Sequence, residues 1–205
     1  MLGRAAVAMW WDVPAEVRTE WEDWHTREHM PERAAIPGFL RGTRWAAASG
    51  EPSYFVCYEA EDLKTLTSGA YVERLNHPTP WSQKMMPYHR NMVRSLCRVH
   101  ASSGAGVGGV AATIRFSPSR ASMPALPERK GVTGAHLLES LPASGMPQTA
   151  EQRIRGGDAR ADWVLLLCGY HVDAVRPTAA QLALPGATAG LYRLAYSITP
   201  KDLPR

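Results

Sequence analysis

Residues 21–33 bring together side chains that can move protons. Within five positions this segment carries His25, Glu28 and His29. An unperturbed imidazole changes charge near neutral pH, so a histidine can take a proton from a carbon acid or a phenol. A nearby carboxylate can fix the imidazole in one tautomer. We therefore expect His25 or His29 to act as a catalytic base or acid, with Glu28 holding the imidazole or a polar group of the substrate.

The segment also has the spacing of an amphipathic helix. At 100° per residue one stripe is shared by Val17, Trp21, Trp24 and Glu28. His25 falls on the edge of this stripe. A carboxylate among apolar side chains is costly unless it is paired, bound to a ligand or protonated. The pattern predicts a helix over residues 15–30 that Pro31 ends or kinks.

A zinc site is one alternative for this segment. Residues 25–29 match H-x-x-E-H, a zinc-protease signature, and histidines four apart on a helix can both reach a metal. Two observations argue against it: Pro31 is expected to end the helix, and no glutamate that could be a third ligand occurs between Glu73 and Glu128. We therefore assign no metal ligand and no cofactor.

A purely structural role is the other alternative. Histidines near the end of a helix interact favourably with its dipole and can form local hydrogen bonds. In that case Glu28 would pair with Arg33 or Arg41. The sequence leaves the structural and catalytic interpretations equally open.

A second segment, residues 76–91, contains three prolines and several rings that can form hydrogen bonds. Such a stiffened loop suits a wall over a cleft, although it can equally be a rigid connection. Five of the seven tryptophans lie in the first 45 residues, which favours an aromatic pocket or a tryptophan-rich core. The expected substrate-binding residues are Trp11, Trp21, Trp24, Trp45, His77, Trp81, Tyr88, His89 and Arg90.

Composition limits the classes of function. The 205-residue chain is 45% hydrophobic and 20% charged, with a net charge of +4 and no run of lysine or arginine, so nucleic acid is not an expected partner. No stretch approaches the length of a membrane span or a secretory signal, so we expect no membrane association. Three widely spaced cysteines, Cys57, Cys97 and Cys168, suit buried free thiols in the cytoplasm.

The order of elements predicts an α+β fold. Apolar or alternating runs indicate eight strands near residues 4–12, 39–48, 53–60, 92–100, 110–116, 135–139, 163–171 and 191–198. Helical patterns follow the first and third strands, which gives a β-α-β-β-α-β unit over residues 1–101. After a Gly/Ser linker at 102–109 the strand pattern restarts over 110–205. We infer a degenerate internal duplication, whose second copy lacks the Trp/His-rich helix between residues 119 and 134.

Two such units, with W-x-x-W-H-x-x-E-H-x-P-E-R followed by I-P-G-F in the first, resemble the dimeric α/β-barrel superfamily. The similarity is closest to its EthD-like and tandem-repeat branches. The resemblance implies two ferredoxin-like repeats with antiparallel sheets that form one barrel-type unit, with a ligand cleft between sheet and helices. It implies an isomerase, a cyclase or a cofactor-free oxygenase acting on a small apolar or aromatic molecule.

Alternatives within the same fold remain open. The chain would then be a non-catalytic binding or accessory protein, or a haem or metal protein that uses His25 or His29 as a ligand. A homodimer is a further open alternative.

Overall fold

Eight antiparallel strands close into a barrel in the computed structural model, which describes residues 1–50, 52–117, 130–142, 147–182 and 186–204. The strands are β1 (Ala5–Asp12), β2 (Phe39–Ala47), β3 (Tyr54–Ala60), β4 (Arg90–Gly104), β5 (Val110–Phe116), β6 (Val132–Ser140), β7 (Trp163–Gly169) and β8 (Thr188–Ile198). All eight predicted strands are present. The predicted α+β architecture is confirmed.

The barrel consists of two four-stranded halves joined at both edges. The order around the ring is β1-β3-β2-β8-β5-β7-β6-β4. Each half therefore has the order of a ferredoxin-like sheet: β4-β1-β3-β2 in the first and β8-β5-β7-β6 in the second. The β2–β8 and β4–β6 pairings close the ring. β4 extends through Gly104, three residues into the segment that we expected to be a linker.

Strand alternation divides the buried side chains into three cores. On β1, Ala6, Ala8 and Trp10 face the barrel interior, whereas Met9 and Trp11 face outwards beneath helices. Every residue of β1 is buried, because this strand is covered on both faces. The third core is aliphatic and lies between α6 (Val172–Leu182) and strands β5 to β7. The cysteines Cys57, Cys97 and Cys168 are free and buried in the barrel interior, as predicted.

Shorter helices cover the first half of the barrel. They are α1 (Arg18–Trp24), α2 (Met30–Ala34), α3 (Gly69–Asn76), α4 (Pro80–Met85) and α5 (Ala150–Ile154). Single 3-10 turns lie at Ala15–Val17, Thr65–Thr67, Met86–Tyr88 and Pro200–Asp202. The sequence did not predict α5, which begins with a capping box formed by Thr149 and Gln152. Among the described residues no helix is both long and apolar enough to cross a membrane.

Of the two expectations for Pro31, that it ends or kinks the first helix, the first is wrong. A π-turn over His25–His29 joins α1 to α2, and the helical path continues to Ala34. The amide of Met30 donates to the carbonyl of His25, the i to i−5 bond of a π-turn. This wider turn makes room for the Pro31 ring and does not need the hydrogen bond that proline cannot donate.

Two other segments differ from or extend beyond what the sequence predicts. Residues 76–91, expected to be mainly loop, contain α4 and the Met86–Tyr88 turn before β4 begins. The Thr79 hydroxyl caps α4 by accepting from the Ser82 amide at 3.0 Å. The segment 119–134, where we expected no counterpart of the first helix, lies largely outside the described residues, which resume at Lys130 before β6.

Candidate functional site

Three histidines lie side by side beneath the first helices. His25 and His29 come from the π-turn, and their ring centroids are 5.4 Å apart. His89 precedes β4, with its ring centroid 4.7 Å from Trp11 on β1. Trp21 stacks on His25 at 4.7 Å. All three imidazoles are buried, so the π-turn and the end of the 76–91 segment build one site.

Donor groups fix two of the imidazole tautomers. The Trp21 Nε1 donates to His89 Nε2 at 2.8 Å. Because an indole only donates, Nε2 of neutral His89 must be the acceptor and Nδ1 carries the proton. The Arg44 Nη1 lies 3.4 Å from His25 Nδ1, and a guanidinium likewise only donates. His25 therefore carries its proton on Nε2.

Burial keeps these imidazoles neutral. Loss of hydration lowers the pKa of His25, His29 and His89 well below the usual value. Neighbouring guanidinium groups lower the pKa values further: Arg44 acts on His25, and Arg33 acts on His29. At neutral pH each imidazole thus has one unprotonated nitrogen. Those of His25 and His89 already accept from Arg44 and Trp21, which leaves His29 as the available proton acceptor, in surroundings that disfavour a lasting positive charge.

A cavity of about 20 Å³ lies between the histidines and the outer face of the sheet. Its walls come from Met9, Trp11, His25, His29, Arg33, Tyr58, Tyr71, Leu75, His89, Met92, Arg94, Glu151 and Arg155. Five of these residues have a buried polar atom without a hydrogen-bond partner: Trp11 Nε1, His29 Nδ1, Arg33 Nη1, Tyr58 Oη and His89 Nδ1. Buried polar groups are nearly always paired, so this concentration at one cavity indicates a ligand site.

The second half of the chain completes the charged wall. Glu151 on α5 forms a buried ion pair with Arg33, and its other oxygen lies 3.5 Å from Arg155 Nη1. Arg155 also pairs with Asp158 at 3.0 Å. Sequence reasoning missed these residues together with Tyr58 and Arg94. One sequence signal could have indicated Arg33 as a site residue: it lies eight positions after His25 on the same helical path.

A larger groove borders the small cavity. It has a volume of about 400 Å³ and lies between α3, β4 and α5. Tyr71, Leu75 and Arg94 line both spaces. The Arg94 guanidinium donates to Tyr71 Oη at 2.8 Å, so this pair stands at the boundary between groove and cavity. The groove has the size and largely apolar lining of a small-molecule site.

Glu28 is placed differently from the sequence expectation. Its Oε1 accepts hydrogen bonds from Thr79 Oγ1 at 2.5 Å, from Trp24 Nε1 at 3.1 Å and from Ser82 Oγ at 3.4 Å. These bonds join the π-turn to the start of α4 and leave Glu28 facing away from the cavity. The alternative pairing of Glu28 with Arg33 or Arg41 is also wrong, because those arginines pair with Glu151 and Glu59.

The expected substrate-binding residues separate into two groups. Trp11 and His89 line the cavity, and Trp21 and Trp24 pack against its histidines. The remaining ones lie elsewhere. Trp45 is in the barrel interior, His77 is exposed beside Glu73, Trp81 and Tyr88 are partly buried against the outer core, and Arg90 is exposed.

Neither a metal nor a haem suits this donor set. Among the described residues no three His, Cys, Asp or Glu side chains are grouped so that they could hold a metal ion. The space beside His25 and His29 admits a group about the size of one water molecule, far smaller than a porphyrin. One of the two arguments against zinc no longer applies, since the helix continues past Pro31.

The barrel fold is shared with solved structures of other proteins. The chain matches no protein-family model and no curated protein. Among solved structures it is similar to an anthrone oxidase-like protein, with 8% identity, a TM-score of 0.57 and 97% and 93% of the two chains covered.

Two further structures resemble it, each described as a putative monooxygenase. One is from Fusobacterium nucleatum subsp. nucleatum (7% identity, TM-score 0.53, coverage 97% and 96%). The other is from Lactobacillus acidophilus NCFM (7%, 0.54, 97% and 97%). At these identities the similarity establishes the fold alone.

Proposed function

We propose that this chain is a cofactor-free oxygenase-type enzyme that acts on a small, apolar aromatic molecule. The observation that carries the proposal is the cluster of three neutral, buried imidazoles beside a groove large enough for such a molecule. The three structural neighbours, described as an anthrone oxidase-like protein and two putative monooxygenases, support an oxygenase-type reaction. The EthD-like branch, the cytoplasmic location and a homodimer remain predictions that rest on the sequence.

The chemistry begins with removal of a proton. An aromatic substrate in the groove would place the O–H group of its phenol or enol form at the Tyr71–Arg94 boundary, facing the cavity. His29, whose Nδ1 has no partner, is our candidate for the base. His89 and His25 have their tautomers fixed by Trp21 and Arg44, so their roles are to hold the substrate oxygen or to orient the ring. We assign Glu28 a positioning role through Thr79.

An anthrone is a suitable test substrate, because its carbanion reacts with dioxygen: anthrone plus O₂ gives anthraquinone plus water. The purified protein is incubated with anthrone while oxygen consumption and the quinone absorbance are followed. We expect catalysed oxidation that falls by about 10²-fold or more in His29→Gln. The control is His171→Gln, an exposed histidine of the second half that should leave the rate unchanged.

The outcomes separate the alternatives. Saturable binding of anthrone without catalysed oxygen uptake would contradict the enzyme and support a binding protein of the same fold. Oxidation at the same rate in wild type and His29→Gln would contradict the assignment of the base. If His29→Gln no longer binds anthrone but is still folded, as measured by far-ultraviolet circular dichroism, His29 holds the ligand.

A further inference from the structure

We infer that the small cavity is a pocket for one anionic oxygen, the phenolate or enolate oxygen of the ligand. This inference rests on the proposed function for the aromatic part of the ligand, but it concerns the state in which the ligand is bound and does not require turnover. The geometry that supports it is an excess of hydrogen-bond donors, in the absence of a free carboxylate among the described residues that line the cavity.

The donors follow from the chemistry of each group. Trp11 Nε1 and Arg33 Nη1 can only donate. His89 Nδ1 must also donate, because its Nε2 is occupied by the Trp21 indole. Three N–H donors without partners thus belong to residues that line a space of about 20 Å³. The Tyr58 hydroxyl, also unpartnered, adds a fourth donor.

Most acceptors near the cavity are already engaged; the exceptions are His29 Nδ1, the proposed base, and the Tyr58 hydroxyl, which can accept as well as donate. Glu151 is the only carboxylate among the described lining residues, and it pairs with both Arg33 and Arg155. Tyr71 Oη accepts from Arg94. Three guanidinium groups line the cavity and outnumber the two carboxylates, Glu151 and Asp158, that pair with them, so the site is positive overall, which favours a negative guest.

A water molecule fits the volume but not the pattern. Water accepts only two hydrogen bonds, so the three N–H donors of Trp11, Arg33 and His89 would leave at least one donor unpaired. A phenolate oxygen has no hydrogen, accepts up to three bonds and carries the charge that buried N–H donors stabilise most strongly. This is the arrangement that stabilises oxyanions in enzymes.

The oxyanion pocket also explains how a histidine with a lowered pKa can act as the base. An oxyanion in the cavity would lie beside His29 and would favour the protonated imidazole, opposing the effect of Arg33. Proton transfer from ligand to His29 would then produce a neighbouring pair of opposite charges, without creating an isolated charge in a dry site.

The test uses 4-nitrophenol, whose phenol and phenolate forms differ in visible absorbance. The probe is titrated with the full-length protein at a series of pH values. In the bound probe the ratio of phenolate to phenol should be about tenfold or more higher than in the free probe at the same pH. Bromide, which carries negative charge and only accepts hydrogen bonds, should displace the probe competitively. Bound neutral phenol, or a bromide effect absent at constant ionic strength, would overturn the inference.

A conservative substitution locates the effect. Tyr58→Phe removes one donor and leaves the ring, so we expect the bound phenolate fraction to drop about fivefold in equilibrium terms. Tyr192→Phe is the matched control, a buried tyrosine in the barrel interior, and should behave as wild type. If the bound probe had the same ratio of phenolate to phenol in both variants and in wild type, the small cavity would not be the site that binds the phenolate oxygen.

This result is independent of turnover. Phenolate binding without anthrone oxidation would refute the proposed enzyme and preserve the oxyanion pocket. Anthrone oxidation together with binding of neutral 4-nitrophenol would support the proposed enzyme and refute the oxyanion pocket.

Discussion

The two helix-covered faces of the barrel are packed with different chemistry. Beneath α6 the second half is closed by aliphatic side chains such as Ile114, Leu137 and Leu167. Beneath α1 to α5 the first half buries three histidines, several tryptophans and the ion pair of Arg33 with Glu151. Both sheets have the same strand order, so aliphatic packing is sufficient to hold this architecture.

The difference therefore identifies which face is specialised. Burying a charged pair removes its hydration and is often no more stabilising than apolar packing. Buried donors without partners cost about 1–3 kcal/mol each. Among the described residues the aliphatic second face has no buried ion pair, whereas the first face has one together with several unpartnered donors around a single cavity. A ligand would justify that arrangement. Variants on the two faces test this contrast.

The largest effect is expected for Arg33→Leu. Removing Arg33 leaves Glu151 as a buried carboxylate with Arg155 as its remaining partner, which should lower the free energy of unfolding by about 3–5 kcal/mol. Urea unfolding measures this loss. Leu167→Ala on the aliphatic face should cost a comparable 2–5 kcal/mol through cavity formation, yet leave 4-nitrophenol binding intact.

These two variants separate stability from binding. Arg33→Leu should lose probe binding even at temperatures where it is fully folded. If Leu167→Ala lost binding to the same extent, the first face would have no special role. The exposed pair of Arg27 with Asp23 provides a surface control, since Arg27→Leu should change neither property.

Acid should destabilise the protein through the first face. The pKa values of His25, His29 and His89 are lowered in the folded state, chiefly by burial and then by nearby arginines. Below about pH 6.5 the unfolded chain therefore binds protons that the folded chain does not. The free energy of unfolding should fall with falling pH, by up to about 1.4 kcal/mol per pH unit for each histidine.

Urea unfolding between pH 7 and pH 5 measures this slope. His29→Gln should make the slope shallower, whereas His171→Gln should leave it unchanged. Burial also lowers the pKa of His136 in the barrel interior to about 4, and this contribution is common to all the variants. A stability independent of pH over this range would contradict the neutral cluster.

The smallest effect is expected for Trp21→Phe. It removes the hydrogen bond to His89 Nε2 and keeps an aromatic ring against His25, at a cost of about 1 kcal/mol. Trp10→Phe is a matched change in the barrel interior, where the indole donates to Thr113 Oγ1 at 3.1 Å. Nitrogen-15 spectra of the imidazoles should show a mixed tautomer of His89 in the first variant only; an unchanged tautomer would contradict the role of Trp21.

The sequence was sufficient for the strands and insufficient for the site. Strand alternation is a local property, so segments such as Tyr54–Ala60 could be placed to within a residue or two. The pairing of Arg33 with Glu151 joins positions 118 apart, and no local pattern encodes such a contact. α5 was missed because its five residues are too short to show helical periodicity.

The histidines illustrate the same limit. Their spacing correctly indicated that His25 and His29 share a helical face, but the π-turn changes the path around Pro31. Trp45 looked equivalent to the other tryptophans by composition. Strand register alone decides that it points into the barrel, since a shift of one residue reverses the face. Glu28 was expected to contact an imidazole or a polar group of the substrate. It accepts a hydrogen bond from Thr79, the N-cap residue of α4, instead.

The closure of the ring has a consequence for how the chain folds. β2 pairs with β8 and β4 pairs with β6, so the edges of the first sheet stay open until the C-terminal strands have been synthesised. Contacts this distant along the chain form slowly, and open edges are prone to pairing with other chains. Glu151 and Arg155 form part of the cavity wall beside the histidines, so the site is complete only after most of the polypeptide has left the ribosome. Expression of residues 1–104 alone would yield a sheet with two exposed edges and an incomplete site.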